Sequence, residues 1–373
     1  MIAAVPDAPL RVHVIGAGLI GASIGLALRR RGHDVSLADR DRAAQMLAIA
    51  LGAGEPQAAD AAPADLVVVA VPPVAVPDVA QRALAVEPRS TVMDIASIKA
   101  APLSDLASRG ADLTRMVGSH PVAGRERSGP GAARADLFVG RPWVLCPTTM
   151  TSSAALALAR RVVVDCGAAP VEMSAEEHDQ AVALVSHLPQ IAASLTARRL
   201  LDAPESFLRL AGTGLRDTTR VAASDPALWV QILQGNAPAL RALVQPLIDD
   251  LISLQSMLDD AALARTTAAD AMTALLSDGR RGRARLPGKH GSPHATYATV
   301  PVVIADRPGE LARLLVAAGD AGVNVEDISI EHSPGQPVGL VELAVAPTAV
   351  DRLATALRAG GWDVHAEESR LAD

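Results

Sequence analysis

The spacing of hydrophobic positions changes twice along the chain, and the changes divide it into three parts. From residue 11 to about 170, short Val/Ile-rich runs alternate with stretches of helical length and periodicity. RVHVIG (11–16), DVSLAD (34–39), DLVVVAV (65–71) and TVMDIA (91–96) predict buried parallel strands. Strand and helix in alternation predict an α/β Rossmann-type, doubly wound sheet. Beyond Glu172 the strand signals stop. EEHDQAVALVSHLPQIAASLTARRLL reads as one long helix with a proline near its middle. From Asn236, a plausible cap, a second long helix begins with Pro238 in its first turn. Leu240, Val244, Leu247, Leu251, Leu254 and Leu258 then form a heptad-like seam, packed either within its own domain or between subunits. Pro246, inside that pattern, predicts a kink.

DGRRGRARLPGKHGSPH (278–294) breaks the periodicity and reads as a solvated interdomain linker, with anion binding as the alternative. After it the runs give β-α-β-β-α-β, the order of a small ferredoxin-like α+β domain. The expected organisation is a dinucleotide-binding domain over 8–172, an all-α domain over 173–280, a linker over 281–295 and a terminal domain over 296–373.

Composition narrows the function. Half of the 373 residues are hydrophobic and 2% are aromatic, so the cores must be aliphatic, and the length calls for more than one of them. A net charge of −7 disfavours nucleic acid or an anionic membrane as partner. Cys146 and Cys166 show neither metal nor CxxC spacing, which fits a reducing cytosol and no metal. The N-terminus lacks a signal-peptide pattern, and the most apolar run is too short to span a bilayer, so a cytoplasmic protein is expected.

The first candidate chemistry follows the first strand. Gly16-Ala-Gly18-Leu19-Ile20-Gly21 lies between a strand and a helix, where the glycines permit a tight turn, approach of a pyrophosphate and close helix packing. Asp39 ends the second strand, 23 residues after Gly16, where a carboxylate accepts from ribose hydroxyls. That placement favours NAD over NADP, although Arg40 beside it keeps NADP as the alternative. Ligands in such sheets bind beyond the carboxyl ends of strands. Val71-Pro72-Pro73, Ala96-Ser97-Ile98-Lys99 and Ser119-His120-Pro121, the last read as a loop after the strand RMVG, are therefore candidates.

GAGLIGASIG, DIASIK, GSHPVAGRERSG, VSHLPQ and GLRDTTRVAASDPALW, in that order, resemble the prephenate/arogenate dehydrogenase family. The resemblance implies oxidative decarboxylation of a cyclohexadienol by NAD in tyrosine biosynthesis, driven by aromatisation. It implies that His120 bonds the ring hydroxyl, that Ser97 orients His120 and borders the nicotinamide, and that Arg220 holds a substrate carboxylate. A guanidinium suits a carboxylate because its planar fork bonds both oxygens. His187 corresponds to a second active-site histidine. Glu126 and Asp217 match acidic positions that gate the entrance through ion pairs, a plain surface pair being the alternative. Gln190 stands where many prephenate-using relatives carry histidine, which keeps arogenate open beside prephenate.

DRPGELARLLVAAGDAGVNVEDI (306–328) resembles the ACT domain. This implies a ligand near Asp306, Gly309 and Asn324, with L-tyrosine as feedback effector, or a domain that only pairs subunits. The helical segment fits the family's dimerisation domain, so a homodimer is expected. Phosphoglycerate dehydrogenase also joins such domains, but its glycine motif lies deep in the chain. Hydroxyisobutyrate-type enzymes need a helical-domain lysine with no counterpart here. A non-enzymatic amino-acid sensor would have no use for Asp39 or for the set Ser97, His120 and Arg220.

Overall fold

A computed structural model describes residues 8–58, 62–123, 129–262, 266–286, 297–332 and 338–365. The chain forms two compact units, one of residues 1–203 and 218–249, the other of residues 204–217 and 250–373.

The first unit opens with β1 (Arg11–Ile15), α1 (Leu19–Arg30), β2 (Asp34–Ala38), α2 (Arg42–Ala50), β3 (Glu55–Pro56), β4 (Leu66–Val69), α3 (Val76–Val86), β5 (Thr91–Asp94), α4 (Ala100–Ser108) and β6 (Met116–Pro121). β7 (Pro142–Cys146), α5 (Ser153–Asp165) and β8 (Ala169–Glu172) follow. The sheet order is β3-β2-β1-β4-β5-β6-β7-β8. β4 and β5 are buried at every position, which is why they show no polar alternation. Alternate residues of β4 feed two cores: Leu66 and Val68 pack with Val12, Val14 and Ile24, and Val67 and Val69 with Ala80 and Leu84. The strand order reverses between β1 and β4, and such a switch point opens a crevice at the carboxyl ends of the strands.

Two features depart from the expected parallel sheet. β7 runs antiparallel to β6, and β6 is longer than expected. β6 pairs with β5 only as far as Gly118, then continues through Pro121 against β7, with His120 opposite Val144. Ser119-His120-Pro121 therefore end the strand; they are not a loop after it. The antiparallel partner replaces the ladder that β5 no longer supplies.

α6 (Ala175–Val182) starts at a capping box in which Ser174 and Glu177 satisfy each other's backbone amides. A π turn over Ala183–His187 separates it from α7 (Leu188–Arg198), so the expected single helix is interrupted. Pro189 has no N–H to return to the preceding turn, and the helix widens just before it. α8 (Glu205–Leu208), α9 (Thr213–Thr219), α10 (Pro226–Gly235), α11 (Ala237–Ala262) and α12 (Thr266–Ala284) complete the helical part. Asn236 joins α10 to α11, but its side-chain amide is used elsewhere and does not cap α11. α11 runs on through Pro246. α12 runs on through residues 281–284 of the expected linker, whose arginines are good helix formers; residues 287–295 lie outside the described residues.

The second unit holds β9 (Ala298–Ala305), α13 (Glu310–Asp320), β10 (Val325–His332), β11 (Val338–Val345), α14 (Val350–Ala359) and β12 (Asp363–Val364). Its antiparallel sheet has the order β10-β11-β9-β12, with one face on an aliphatic core built around Val302, Leu314, Leu343 and Leu353. The β-α-β-β-α-β order read from the sequence is present.

Candidate active site

The turn from β1 into α1 is shaped by its glycines. Gly16 has φ +111°, and a Cβ there would lie 2.1 Å from the Ala70 carbonyl oxygen. A Cβ on Gly21 would lie 2.0 Å from the Gly16 carbonyl oxygen, so α1 can approach β1 only without a side chain. Gly18 differs, since a Cβ there would meet no protein atom within 4 Å. The space kept clear lies at the start of α1, whose first residues Leu19, Ile20 and Gly21 have amides without intrahelical acceptors. Asp39 braces the turn, accepting from the Ala17 amide (2.6 Å) and the Asp41 amide (2.7 Å). Gly16, Gly18, Asp39, Arg40, Val71 and Pro72 line a groove of about 970 Å³ that reaches inward to His13 and Glu87.

His120 ends β6 at the carboxyl edge of the same sheet. Its Nδ1 lies 2.8 Å from Nε2 of His178, and the rings meet edge-on with centroids 5.1 Å apart. His178, fully buried on α6, places its own Nδ1 2.8 Å from Oδ1 of Asp179. Asp179 in turn accepts from the Lys99 amide (2.8 Å) and the Ala100 amide (2.9 Å) at the start of α4. The buried Lys99 ammonium pairs with the buried Asp94 carboxylate and donates to the Ser119 carbonyl (2.7 Å). Ser119 Oγ donates to the Asp94 carbonyl (2.7 Å) and accepts from Trp143 Nε1 (3.1 Å). β5, β6, β7, α4 and α6 are thus tied to one another by named bonds.

Burial holds the His120 imidazole well below its ordinary pKa, and His178, Lys99 and His187 nearby add to the effect. It is a neutral base at physiological pH. His187 is pushed down to about 4 by burial, against the opposing pull of Asp179. Asn236 donates to the Asp179 carbonyl (2.7 Å) and lies 3.2 Å from His187 Nδ1. Burial raises the Asp94 carboxyl, with Lys99 opposing. Burial also pushes the Cys146 thiol up to about 12, so it offers no thiolate at neutral pH.

The remaining expected residues distribute unevenly. Ser97, half-buried between β5 and α4, makes no hydrogen bond to His120 among the described residues; the ring that His120 meets at hydrogen-bond distance is His178. Gln190 is buried with its amide on Ser194 Oγ (3.3 Å). Arg220 is exposed in the 3₁₀ turn that follows α9 and packs on α7. Asp217 belongs to the second unit, as do Asp306, Gly309 and Asn324. Glu126 lies outside the described residues.

Asp94, His178, Asp179 and Asn236 were not among the expected site residues, and Lys99 was expected only as part of the stretch that follows β5. One signal was available for two of them: His178 and Asp179 share a helical stripe with Val182 and Ala183, so a polar pair lies where apolar residues are expected.

Residues 24–172 match the family model of the prephenate dehydrogenase nucleotide-binding domain, and residues 174–272 that of the prephenate dehydrogenase dimerization domain. A probable prephenate dehydrogenase, NovF of Streptomyces niveus, is 40% identical over 94% of this chain and 98% of its own. The crystal structure of the A. aeolicus prephenate dehydrogenase with hydroxyphenyl propionate and NAD+ has a TM-score of 0.64 at 27% identity, covering 74% of this chain and 98% of that one. Synechocystis arogenate dehydrogenase has a TM-score of 0.62 at 27% identity, covering 74% and 99%. Two consecutive domain matches and a relative aligned along nearly its whole length place the chain in the prephenate dehydrogenase family.

Proposed function

We propose that this protein catalyses the NAD-dependent oxidative decarboxylation of prephenate to 4-hydroxyphenylpyruvate in tyrosine biosynthesis. The observation that carries the reading is His120, a neutral imidazole at the carboxyl edge of the sheet whose switch point opens the glycine-lined groove. The groove fits a dinucleotide: Gly18 leaves open space before α1, whose amides suit a pyrophosphate, and Asp39 keeps lone pairs for ribose hydroxyls. Its carboxylate disfavours a 2′-phosphate, which supports NAD, while Arg40 in the same groove speaks for NADP. Bound there, the dinucleotide supplies the hydride acceptor. The chain's own contribution is to accept the hydroxyl proton on His120 and to hold a substrate carboxylate on Arg220. Loss of carbon dioxide restores aromaticity, so the protein need not stabilise a strongly basic intermediate.

Gln190, an amide where the family resemblance implies imidazole in many prephenate-using relatives, keeps arogenate open as the second reading. An absorbance assay at 340 nm crossing prephenate and arogenate with NAD and NADP tests both. Turnover of prephenate with NAD is expected to dominate, and no turnover in any of the four mixtures overturns the assignment.

L-Tyrosine is the proposed effector, bound by an ACT-type terminal domain near Asp306, Gly309 and Asn324. The antiparallel split β-α-β-β-α-β order supports this, as does Gly309, at φ +91° before α13. Calorimetric titration tests it: no heat with tyrosine or phenylalanine, with unchanged kinetics, overturns it. A cytoplasmic homodimer completes the proposal. The α11 seam supports pairing of chains, because Leu251 and Leu258 are each 56% exposed within one chain.

A further inference from the structure

We propose that His178 and Asp179 fix the tautomer of His120 and share its proton, making His120–His178–Asp179 a two-imidazole relay for the substrate hydroxyl proton. This rests on the reading of His120 as the proton acceptor. Asp179 is anchored by the two amides that open α4, and an ionised carboxylate only accepts. His178 Nδ1, 2.8 Å from Asp179 Oδ1, must therefore carry the hydrogen of that bond. A neutral His178 then has its lone pair on Nε2. The 2.8 Å contact to His120 Nδ1 needs a proton between the nitrogens, and it must sit on His120 Nδ1. The lone pair of His120 is thereby forced onto Nε2, the nitrogen left for substrate. A carboxylate two residues away in the network sets which face of the imidazole is basic.

The same geometry gives the proton somewhere to go. The substrate O–H bond breaks and the Nε2–H bond of His120 forms, the electron pair staying on oxygen. The Nδ1–H bond of His120 then breaks as the Nε2–H bond of His178 forms. The groups facing His120 are Lys99 from the start of α4, His187 from the π turn and His178 from α6, all positive or able to become so. His178 instead lies beside the Asp179 carboxylate. A positive charge is better placed on His178 than on His120. Once carbon dioxide has left, the reverse sequence returns the proton to the phenolic oxygen.

Asp179→Asn and His178→Gln, made in the full chain, test the relay. An asparagine amide can donate to His178 Nδ1, which reverses both bonds and leaves a proton on His120 Nε2. We expect kcat to fall by about 100-fold or more while KM for NAD stays within about threefold. His178→Gln keeps the Asp179 bonds to α4, so it remains informative if Asp179→Asn fails to fold. Its acid limb should move to higher pH, because burial still depresses His120 but one of the three neighbours that add to the effect is gone. Nitrogen-15 spectra of labelled histidines, assigned with His120→Asn, read the tautomer without substrate. They should show Nδ1–H in the wild-type protein and Nε2–H in Asp179→Asn. An Nε2–H tautomer in the wild type, or kcat within threefold of wild type in either variant, overturns the relay. Failure of the dehydrogenase reading looks different: no turnover by the wild type on either substrate.

Discussion

The dinucleotide turn is built from backbone that six consecutive residues specify, whereas the imidazole site is built from side chains supplied by β5, β6, α4, α6 and the α10–α11 junction. In the turn, what matters is the absence of side chains: Gly16 and Gly21 have backbone carbonyls where a Cβ would stand. Around His120, what matters is the presence of a polar chain, because each buried polar group needs the next one satisfied. A site of the first kind is local in sequence and tolerates a change elsewhere. A site of the second kind depends on the packing of several elements at once.

The sharpest way to break this comparison is at its chemical end. His120→Asn removes the proton acceptor but leaves the glycine turn untouched. Turnover should fall by about 10²- to 10⁴-fold, the usual contribution of a general base, with NAD binding unchanged by fluorescence titration. Near-normal turnover would refute the role of His120.

The turn offers the matching test. Gly21→Val sets a side chain against the Gly16 carbonyl, and we expect a loss of about 2–4 kcal/mol in stability, read from denaturant midpoints. Gly18→Ala meets no protein atom, so its midpoint should stay within about 0.5 kcal/mol of wild type while KM for NAD rises. A destabilised Gly18→Ala would mean that Gly18 serves the fold and not the cofactor.

Legibility in the sequence follows the same division. The glycine turn, the strands β1, β2, β4 and β5 and the terminal β-α-β-β-α-β order all rest on local patterns of period or turn chemistry, and they were readable. GSHP has no alternation, so nothing local says that β6 continues to Pro121; that depends on β7 arriving antiparallel from more than 20 residues away. Lys99 is legible only as one of the residues that follow a strand, and the fold alone buries it against Asp94. Asn236 read as a helix cap because asparagine before an apolar helix usually is one, and its capture by Asp179 and His187 is a tertiary event.

Arg220 tests whether the substrate side is of the local or the distributed kind. It is exposed in its turn, so the test lies in the split between the two KM values. If its guanidinium holds a carboxylate, Arg220→Ala should raise KM for the substrate by about 10- to 100-fold, the worth of a charge-assisted hydrogen bond, and leave KM for NAD alone. An unchanged substrate KM would remove Arg220 from the site.

The smallest expected effect separates the buried network from the turn by pH. His187 titrates near 4 in the folded protein because burial disfavours its charged form, whereas an unfolded histidine titrates near 6.5. Between those values the unfolded chain binds the proton and the folded chain does not. Stability therefore rises with pH across that window: the contribution is complete above pH 6.5 and is lost as pH falls toward 4. His120, also held below its ordinary value, acts in the same direction, and the acid limb of kcat/KM should lie below pH 6.5. The glycine turn contains no titrating group, so Gly18→Ala should keep the wild-type slope of stability against pH. His187→Asn removes one titrating site and should flatten that slope between pH 4.5 and 6.5, measured from urea midpoints. An unaltered slope in His187→Asn would mean that this imidazole is not held neutral by the fold.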